Sequence, residues 1–188
     1  MELIGRTKTR RFPTSFPRDA QEFNEGVKYT SYMCSFEAWI DDWSMLGRAA
    51  PNADALSHLD LRAVSDTFSY QLTLRAEGPL VFQGDGGFSV KSPAGQASYY
   101  YSQPHYTVSG QLDLPGGPVA VTGQAWLDRE WSSRPLQDSQ TGWDWFSLQL
   151  DDGSELMFFQ IRRADGSIDP FSSGTYIDPN GGTQHLER

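Results

Sequence analysis

Apolar and polar residues alternate with a period of two along much of the chain, which is the pattern of β-strands with one buried face. A glycine-rich break at 115–117 separates two such runs and predicts a hairpin between 105–114 and 118–128. The clearest alternation lies in 67–76, where the apolar positions are Phe68, Tyr70, Leu72 and Leu74. The end of the chain, 173–188, predicts a further strand, a turn and the start of another strand. The chain holds 18 Gly and 11 Pro, which also favours a turn-rich all-β protein over a helical bundle.

The strongest hairpin signal lies in residues 143–162, where two alternating runs flank the dipeptide Asp152-Gly153. That dipeptide predicts a two-residue type I′ turn. The corresponding register places Leu148 opposite Met157 and Phe146 opposite Phe159, and it makes one face an apolar core of Phe146, Leu148, Met157, Phe159 and Ile161. The other face then carries Trp143, Trp145, Ser147, Gln149, Phe158, Gln160 and Arg162. Such side chains could form the wall of a ligand cavity. Alternatively, their rings could simply brace a sheet face that is exposed to solvent, and both interpretations stay open.

The N-terminal region differs from this β pattern. Residues 1–22 mix Arg, Pro, Thr and Ser without a period and predict a flexible lead, with a short helix over 19–28. A loop of about a dozen residues, 131–142, is the best candidate for a domain border, which we place at 138/139.

Charge and composition exclude several function classes. The net charge is -9, and the first 18 residues carry +4, so the remaining chain is strongly acidic and does not suit nucleic-acid binding. The single cysteine, Cys34, excludes an intrachain disulfide and is expected to be a small core residue. No apolar run is long enough for a membrane span, and the basic N-terminus lacks the apolar stretch of a signal peptide.

The spacing of the histidines and of the glycines predicts neither a metal site nor a phosphate-binding loop. The three histidines, His58, His105 and His185, are far apart and fit no metal-ligand spacing, so we expect no metal site. The glycine cluster at 84–87 lacks the Lys-Ser/Thr of a phosphate loop. No bound cofactor is expected.

The candidate chemistry lies where four of the six tryptophans fall within residues 126–145. In an extended strand, Asp128 and Glu130 project to the same face as Trp126, and Arg129 projects to the other. An Asp against indole rings has a raised pKa and could protonate a C=C bond. The rings could then stabilise the carbocation by cation–π attraction.

The alternative is a structural role for the same two carboxylates. Asp128 and Glu130 could pair with Arg129, Arg134 or Arg162 and join two strands. A salt-bridged carboxylate has a lowered pKa and could not act as an acid. The sequence leaves both interpretations open.

Six segments occur in an order and spacing that match a known family over about residues 36–178: WIDDWSM, LVFQGDGGFSVKS, SYYYSQP, VTGQAWLDREWSS, GWDWFSLQLDDGSELMFFQIRRADG and GTYI. The chain resembles the lipocalin-like carotenoid 1,2-hydratase (hydroxyneurosporene synthase) family, including its AttH-like members. The resemblance implies two lipocalin-like antiparallel β-barrels in tandem. Residues 23–138 would form the first barrel without its usual opening segment, and 139–188 the beginning of the second, so both ends are expected to be truncated.

The resemblance also implies a function. Family relatives include hydratases that add water to terpenoid or phenolic double bonds and fungal pericyclases, and many bacterial members are exported and known only as predicted secreted hydrolases. We therefore expect a small, elongated, apolar ligand of terpenoid or carotenoid type, and a hydratase is one interpretation. A non-catalytic carrier or envelope accessory module is the alternative, and a purely structural β-domain is a third. Neither the oligomeric state nor the location is indicated.

The candidate site residues fall into three groups. The catalytic candidates are Asp128 and Glu130. Arg129 and Arg162 are expected in structural ion pairs. The ligand-binding candidates are Trp126, Trp131, Trp143, Trp145, Tyr100, Phe158 and Gln160.

Overall fold

The structure is a computed structural model that describes residues 36–50, 53–134 and 136–187. In these residues the chain forms twelve β-strands and no helix. The described part of the chain therefore contains no helix able to cross a membrane. The predicted flexible lead, the predicted helix over 19–28 and Cys34 all lie outside the described residues.

Eight strands form the larger sheet. Its pairs β1–β2, β2–β3, β3–β4, β4–β7, β5–β7 and β6–β7 are antiparallel. The order along its main path is β1-β2-β3-β4-β7-β5, and β6 and β8 also pair with β7. The strands are β1 (Glu37–Ile40), β2 (Trp43–Gly47), β3 (His58–Val64), β4 (Ser69–Ala76), β5 (Val81–Phe82), β6 (Phe88–Val90), β7 (Ala97–Leu114) and β8 (Gly117–Trp131). The hairpin predicted around 115–117 is confirmed as the β7–β8 connection.

Four strands form the smaller antiparallel sheet, in the order β12-β11-β10-β9. They are β9 (Gln140–Gln149), β10 (Glu155–Arg163), β11 (Ser173–Ile177) and β12 (Thr183–Glu187). Strands that follow one another in the sequence are neighbours in the sheet, so it is a simple meander. The strand, turn and strand expected at the end of the chain are confirmed as β11 and β12.

The chain divides into two compact units. One comprises Met1–Ala76 with Tyr106–Ala125, of which the structure describes the part from Phe36 onward, and the other comprises Glu77–His105 with Trp126–Arg188. Strands β7 and β8 each contribute residues to both units. The domain borders that the sequence predicts, at 22/23 and 138/139, stay predictions.

The core of the first unit forms where β3, β4 and β7 place their apolar side chains on one face. Leu59 lies directly opposite Leu74, and both are buried. Tyr106 is fully buried, and its hydroxyl donates to the carbonyl of Leu56 at 2.7 Å. A buried phenol needs such a partner, and this bond ties the loop before β3 to β7.

The core of the second unit forms between the first half of β7 and the smaller sheet. Its buried cluster is Tyr100, Met157, Phe159 and Ile161, against which Trp126, Leu136 and Phe171 pack. Three of these residues alternate along β10, so the β10 face that carries Met157, Phe159 and Ile161 is the buried one.

The register predicted for the β9–β10 hairpin is wrong by one residue. Leu156, rather than Met157, lies opposite Leu148, and Phe159 lies opposite Trp145. The loop is not a two-residue type I′ turn. The backbone N–H of Leu150 donates to the carbonyl of Ser154, and three residues connect them, with Gly153 at φ 82°. This is the common three-residue loop with a left-handed glycine, which Asp-Asp-Gly also fits.

A one-residue shift moves the side chains of one strand to the other face relative to its partner. Trp143 and Trp145 therefore share the buried face of Phe159 and Ile161, and not the face of Phe158 and Gln160 as predicted. The expected core residues Phe146 and Leu148 lie on the opposite face, with 44% and 40% of their surface exposed.

Candidate functional site

Asp128 accepts hydrogen bonds from side chains of two neighbouring strands. Its Oδ1 accepts from the hydroxyl of Ser102 on β7 at 2.5 Å and from the indole N–H of Trp126 on β8 at 3.0 Å. The phenol of Tyr100 is also hydrogen-bonded to the carboxylate. Strand alternation produces this arrangement, since residues two apart on a strand share a face. We call these four residues the Asp128 network.

A chain of buried polar side chains fixes the orientation of the Ser102 hydroxyl. The side-chain amide of Gln83 donates to the hydroxyl of Ser102 at 2.9 Å, and the hydroxyl of Thr175 donates to the oxygen of Gln83 at 2.6 Å. All three side chains are buried. Because unpaired polar groups are costly in such a place, each bond constrains the next, and the hydroxyl of Ser102 is directed at Asp128.

Burial raises the pKa of the Asp128 carboxyl above its usual range, since removal from water disfavours the charged form. Hydrogen bonds from Ser102, Trp126 and Tyr100 oppose this shift, and the nearby charge of Glu130 adds to it. Burial also raises the pKa of Tyr100 strongly, and the charge of Asp128 raises it further. Tyr100 is therefore a neutral phenol beside a carboxyl that binds a proton more readily than an ordinary Asp.

The raised pKa of Asp128 predicts a dependence of stability on pH. The folded state binds this proton more tightly than the unfolded chain does, so its contribution to stability is fully present below the ordinary Asp pKa of 3.8 and is lost as pH rises through the raised value. Asp128→Asn, which carries no charge at any pH, should therefore raise the denaturation midpoint at neutral pH. The gain should shrink as pH is lowered towards 3.8. A midpoint difference that grows on acidification would contradict the raised pKa.

A second charged group lies beside this network. Lys91, just after β6, places its ammonium 3.3 Å from Oε1 of Glu130 and 2.9 Å from the hydroxyl of Ser89. The same ammonium lies 3.7 Å from the ring centre of Phe159, within cation–π range. Ser98 donates to Glu130 at 2.5 Å. Burial lowers the pKa of Lys91, and the charge of Glu130 opposes that shift.

A small cavity lies between these groups, and we call it the tryptophan cavity. Its enclosed volume is about 20 Å³, within a wider hollow of about 310 Å³ that includes open solvent. Trp143 and Trp145 are 45% and 39% exposed, so they form an accessible wall. The indole N–H of Trp145 donates to the hydroxyl of Tyr100 at 2.9 Å. The lining residues are Lys91, Tyr100, Glu130, Leu136, Trp143, Trp145, Phe159 and Ile161.

The structure brings most of the candidate residues from the sequence together. Tyr100, Glu130, Trp143 and Trp145 line the tryptophan cavity. Asp128 and Trp126 lie beside it, joined to it through Tyr100.

Three ligand-binding candidates lie elsewhere. Trp131 stacks on Tyr99, with ring centres 5.7 Å apart, because its place in β8 gives it the opposite face from Asp128. Phe158 stacks on Phe146 on the far face of the smaller sheet, and Gln160 lies on that face opposite Asp144. Their position separates them from the cavity.

Two of the three arginines that could have neutralised the carboxylates pair with other carboxylates. Arg162 pairs with Asp144, and Arg134 pairs with Asp138. Arg129 follows Asp128 in β8 and therefore projects to the face of Trp131. The interactions of Asp128 in the described residues are those of its network and the charge of Glu130, and no arginine is among them.

Sequence reasoning missed Lys91, Ser98, Ser102 and Gln83. Each is far in sequence from residues 126–145, and no local pattern links them to that stretch. The Ser residues could have been suspected, since Tyr100 and Ser102 alternate on a strand. In the described part of the chain, no group of three His, Cys, Asp or Glu side chains is placed to hold a metal ion.

The chain matches the family model described as AttH-like over residues 8–188. A solved structure of an AttH from Nitrosomonas europaea is 41% identical, with a TM-score of 0.72, and the match covers 80% of this chain and 45% of that one. Kievitone hydratase from Nectria haematococca is 18% identical, with a TM-score of 0.64, over 81% of this chain and 46% of that one. No curated protein matches the chain.

The chain thus spans less than half the length of these two solved relatives. The likeness to kievitone hydratase concerns the fold, and with the strand arrangement it confirms the expected all-β, lipocalin-like antiparallel class. The family match covers nearly the whole chain, and the chain therefore belongs to the AttH-like family.

Proposed function

We propose that this protein binds an apolar molecule and adds water to one of its C=C bonds, with Asp128 as the proton donor. One observation carries the proposal. Asp128 has a raised pKa and is joined, through the hydroxyl of Tyr100, to a cavity walled by Trp143 and Trp145. General acid catalysis here has three requirements: an acid with a raised pKa, an apolar setting and a route to the ligand.

The proton would travel through Tyr100, because Tyr100 lines the cavity and Asp128 lies behind it. Once Asp128 is protonated, its O–H donates to the phenol oxygen, and the phenol O–H turns from the carboxyl to the alkene. The two protons then move together, from Asp128 to the phenol oxygen and from the phenol to the alkene carbon, so Tyr100 remains neutral. The indole N–H of Trp145 donates to the same oxygen and holds the phenol in place. The positive charge then develops on carbon beside the faces of Trp143 and Trp145, which attract cations.

The size of the hollow limits how the ligand would bind. The enclosed part measures only about 20 Å³, far less than the roughly 300–1,000 Å³ of ordinary small-molecule pockets, and the wider hollow of about 310 Å³ includes open solvent. An elongated terpenoid or carotenoid-like molecule would therefore place only its reactive double bond against Tyr100, with its remaining length along the exposed tryptophans. The ring faces would bind the apolar chain and shield the cation from water.

Kievitone hydratase supports the same class of reaction, because a protein of this fold is named for a hydration. The alternative is a non-catalytic carrier. A carrier needs the apolar wall but has no use for a carboxyl with a raised pKa connected to the cavity. The Asp128 network therefore favours the enzyme.

The test is an isotope assay on the intact protein. Kievitone and a set of isoprenoid alkenes are incubated in H₂¹⁸O, and the products are examined by mass spectrometry. We expect an alcohol that has gained one ¹⁸O and two hydrogens. Quenching of tryptophan fluorescence by an alkene without any product would support the carrier, and neither binding nor product would contradict the proposal.

A further inference from the structure

We propose that Lys91 and Glu130 form the water-holding half of the site: they bind the water molecule that adds to the double bond, and Glu130 accepts its proton. This rests on the proposed hydration. The acid and the base would then be different residues of one cavity: Tyr100 delivers the proton to the alkene, and Glu130, held beside Lys91, takes a proton from the water.

The volume of the cavity fits this role. Its enclosed volume of about 20 Å³ has room for a water molecule, which needs roughly 10–15 Å³. A buried water also needs two to four polar partners. The cavity lining supplies three groups of that kind, the ammonium of Lys91, the carboxylate of Glu130 and the hydroxyl of Tyr100, in a wall that is otherwise apolar or indole.

The geometry of Lys91 leaves a donor for this water. The ammonium carries three N–H groups. Two are accounted for by Ser89 at 2.9 Å and Glu130 at 3.3 Å. The third makes no hydrogen bond within the described residues, and the ammonium lies 3.7 Å from the ring centre of Phe159, which lines the cavity together with Lys91. Only 7% of the Lys91 side chain is exposed, so its position is fixed by packing.

The geometry of Glu130 leaves an acceptor. Its contacts with Ser98 and Lys91 are both made by Oε1, so in the described residues Oε2 is available to accept from the water. A third of the Glu130 side chain is exposed, which gives the accepted proton a route to solvent. Lys91 is thus a positioning residue, and Glu130 is the base.

The proposed step balances. The C=C electron pair takes a proton from Asp128 through Tyr100 and forms a C–H bond, which leaves a cation on the other carbon. A lone pair of the water oxygen forms the C–O bond, and the resulting oxonium gives one proton to Glu130. Glu130 releases that proton to solvent, and solvent reprotonates Asp128, so the net change is addition of one water.

The test separates protonation from water addition. In D₂O the acid alone delivers deuterium to the alkene, and loss of a proton from the cation returns a deuterated alkene. In Lys91→Met, we expect hydration to fall on the order of 100-fold, since misplaced reacting groups cost about that much, while deuterium still enters the alkene. Glu130→Gln should behave in the same way and guards against misfolding of the first variant. Arg134→Met, which removes an exposed cation paired with Asp138, is the matched control and should hydrate normally.

The outcomes distinguish the two proposals. Wild-type hydration rates in both variants would overturn the role of Lys91 and Glu130 and leave the proposed function intact. Absence of both hydration and deuterium exchange in the wild-type protein would overturn the proposed function and this inference with it. A crystal structure of the intact protein gives a readout without substrate: we expect an ordered water bonded to Lys91 and Glu130 that is lost in Lys91→Met, and its absence from the wild type would contradict the inference.

Discussion

Asp128→Asn is expected to abolish hydration of the double bond while it leaves ligand affinity nearly unchanged. The amide keeps the size of the carboxyl, and its oxygen can still accept from Ser102 and Trp126. It has no proton to deliver through Tyr100. Loss of a general acid lowers the rate by about 10²–10⁴-fold, so turnover should fall by at least about 100-fold.

The measurement is product formation together with fluorescence titration of the ligand. Asp138→Asn is the matched control, because Asp138 is 96% exposed and its partner is the surface residue Arg134. Full activity in Asp128→Asn would remove Asp128 from the mechanism. Loss of folding in that variant would favour the structural role that the sequence left open.

The second large effect is expected on stability, from Gly110→Ala. Gly110 lies opposite Leu72 in the β4–β7 pair. An added Cβ would overlap the carbonyl oxygen of Gln71 and lie 2.9 Å from the Cα of Leu72, so the backbones of two paired strands would have to separate. Overpacking of this kind costs about 1–3 kcal/mol and occasionally more. We expect the upper part of that range, or a fall of roughly 10 °C in Tm.

Gly123→Ala provides the control for this variant. Gly123 also lies in a strand, and a Cβ there would meet nothing within 4 Å. Alanine is favoured over glycine in a strand by about 0.5–1 kcal/mol, so this variant should be neutral or slightly more stable. Equal losses in the two variants would contradict the register that places Gly110 against Leu72.

The strand pattern was predictable because period-two alternation is a local property of the sequence. The 67–76 alternation, the hairpin at 115–117 and the last two strands are all found where they were expected. The register of the 143–162 hairpin was not predictable with the same ease. Asp152-Gly153 fits a two-residue turn, and Asp151-Asp152-Gly153 fits a three-residue loop equally well. The choice between them decides which face every side chain of β9 shares with β10.

The candidate site was predictable in part for the same reason. Alternation along β8 places Trp126, Asp128 and Glu130 together, and the structure has them on one face. Lys91 and Gln83 could not be identified, since they reach the site through strand pairings and packing that link distant parts of the sequence. Trp131 illustrates the converse. It is close in sequence to Asp128, but its odd separation of three residues along the strand places it on the opposite face.

The most direct test of the central claim, a protonatable Asp128 beside the tryptophan cavity, is its titration. Carbon-13 NMR of protein labelled at aspartate carboxyls, with Asp128→Asn used to assign the signal, measures the pKa of this one group. We predict a value above the ordinary Asp pKa of 3.8, since burial outweighs the hydrogen bonds from Ser102, Trp126 and Tyr100. A value at or below 3.8 would contradict the account, because Asp128 would then have lost its proton under the conditions in which it is proposed to donate it.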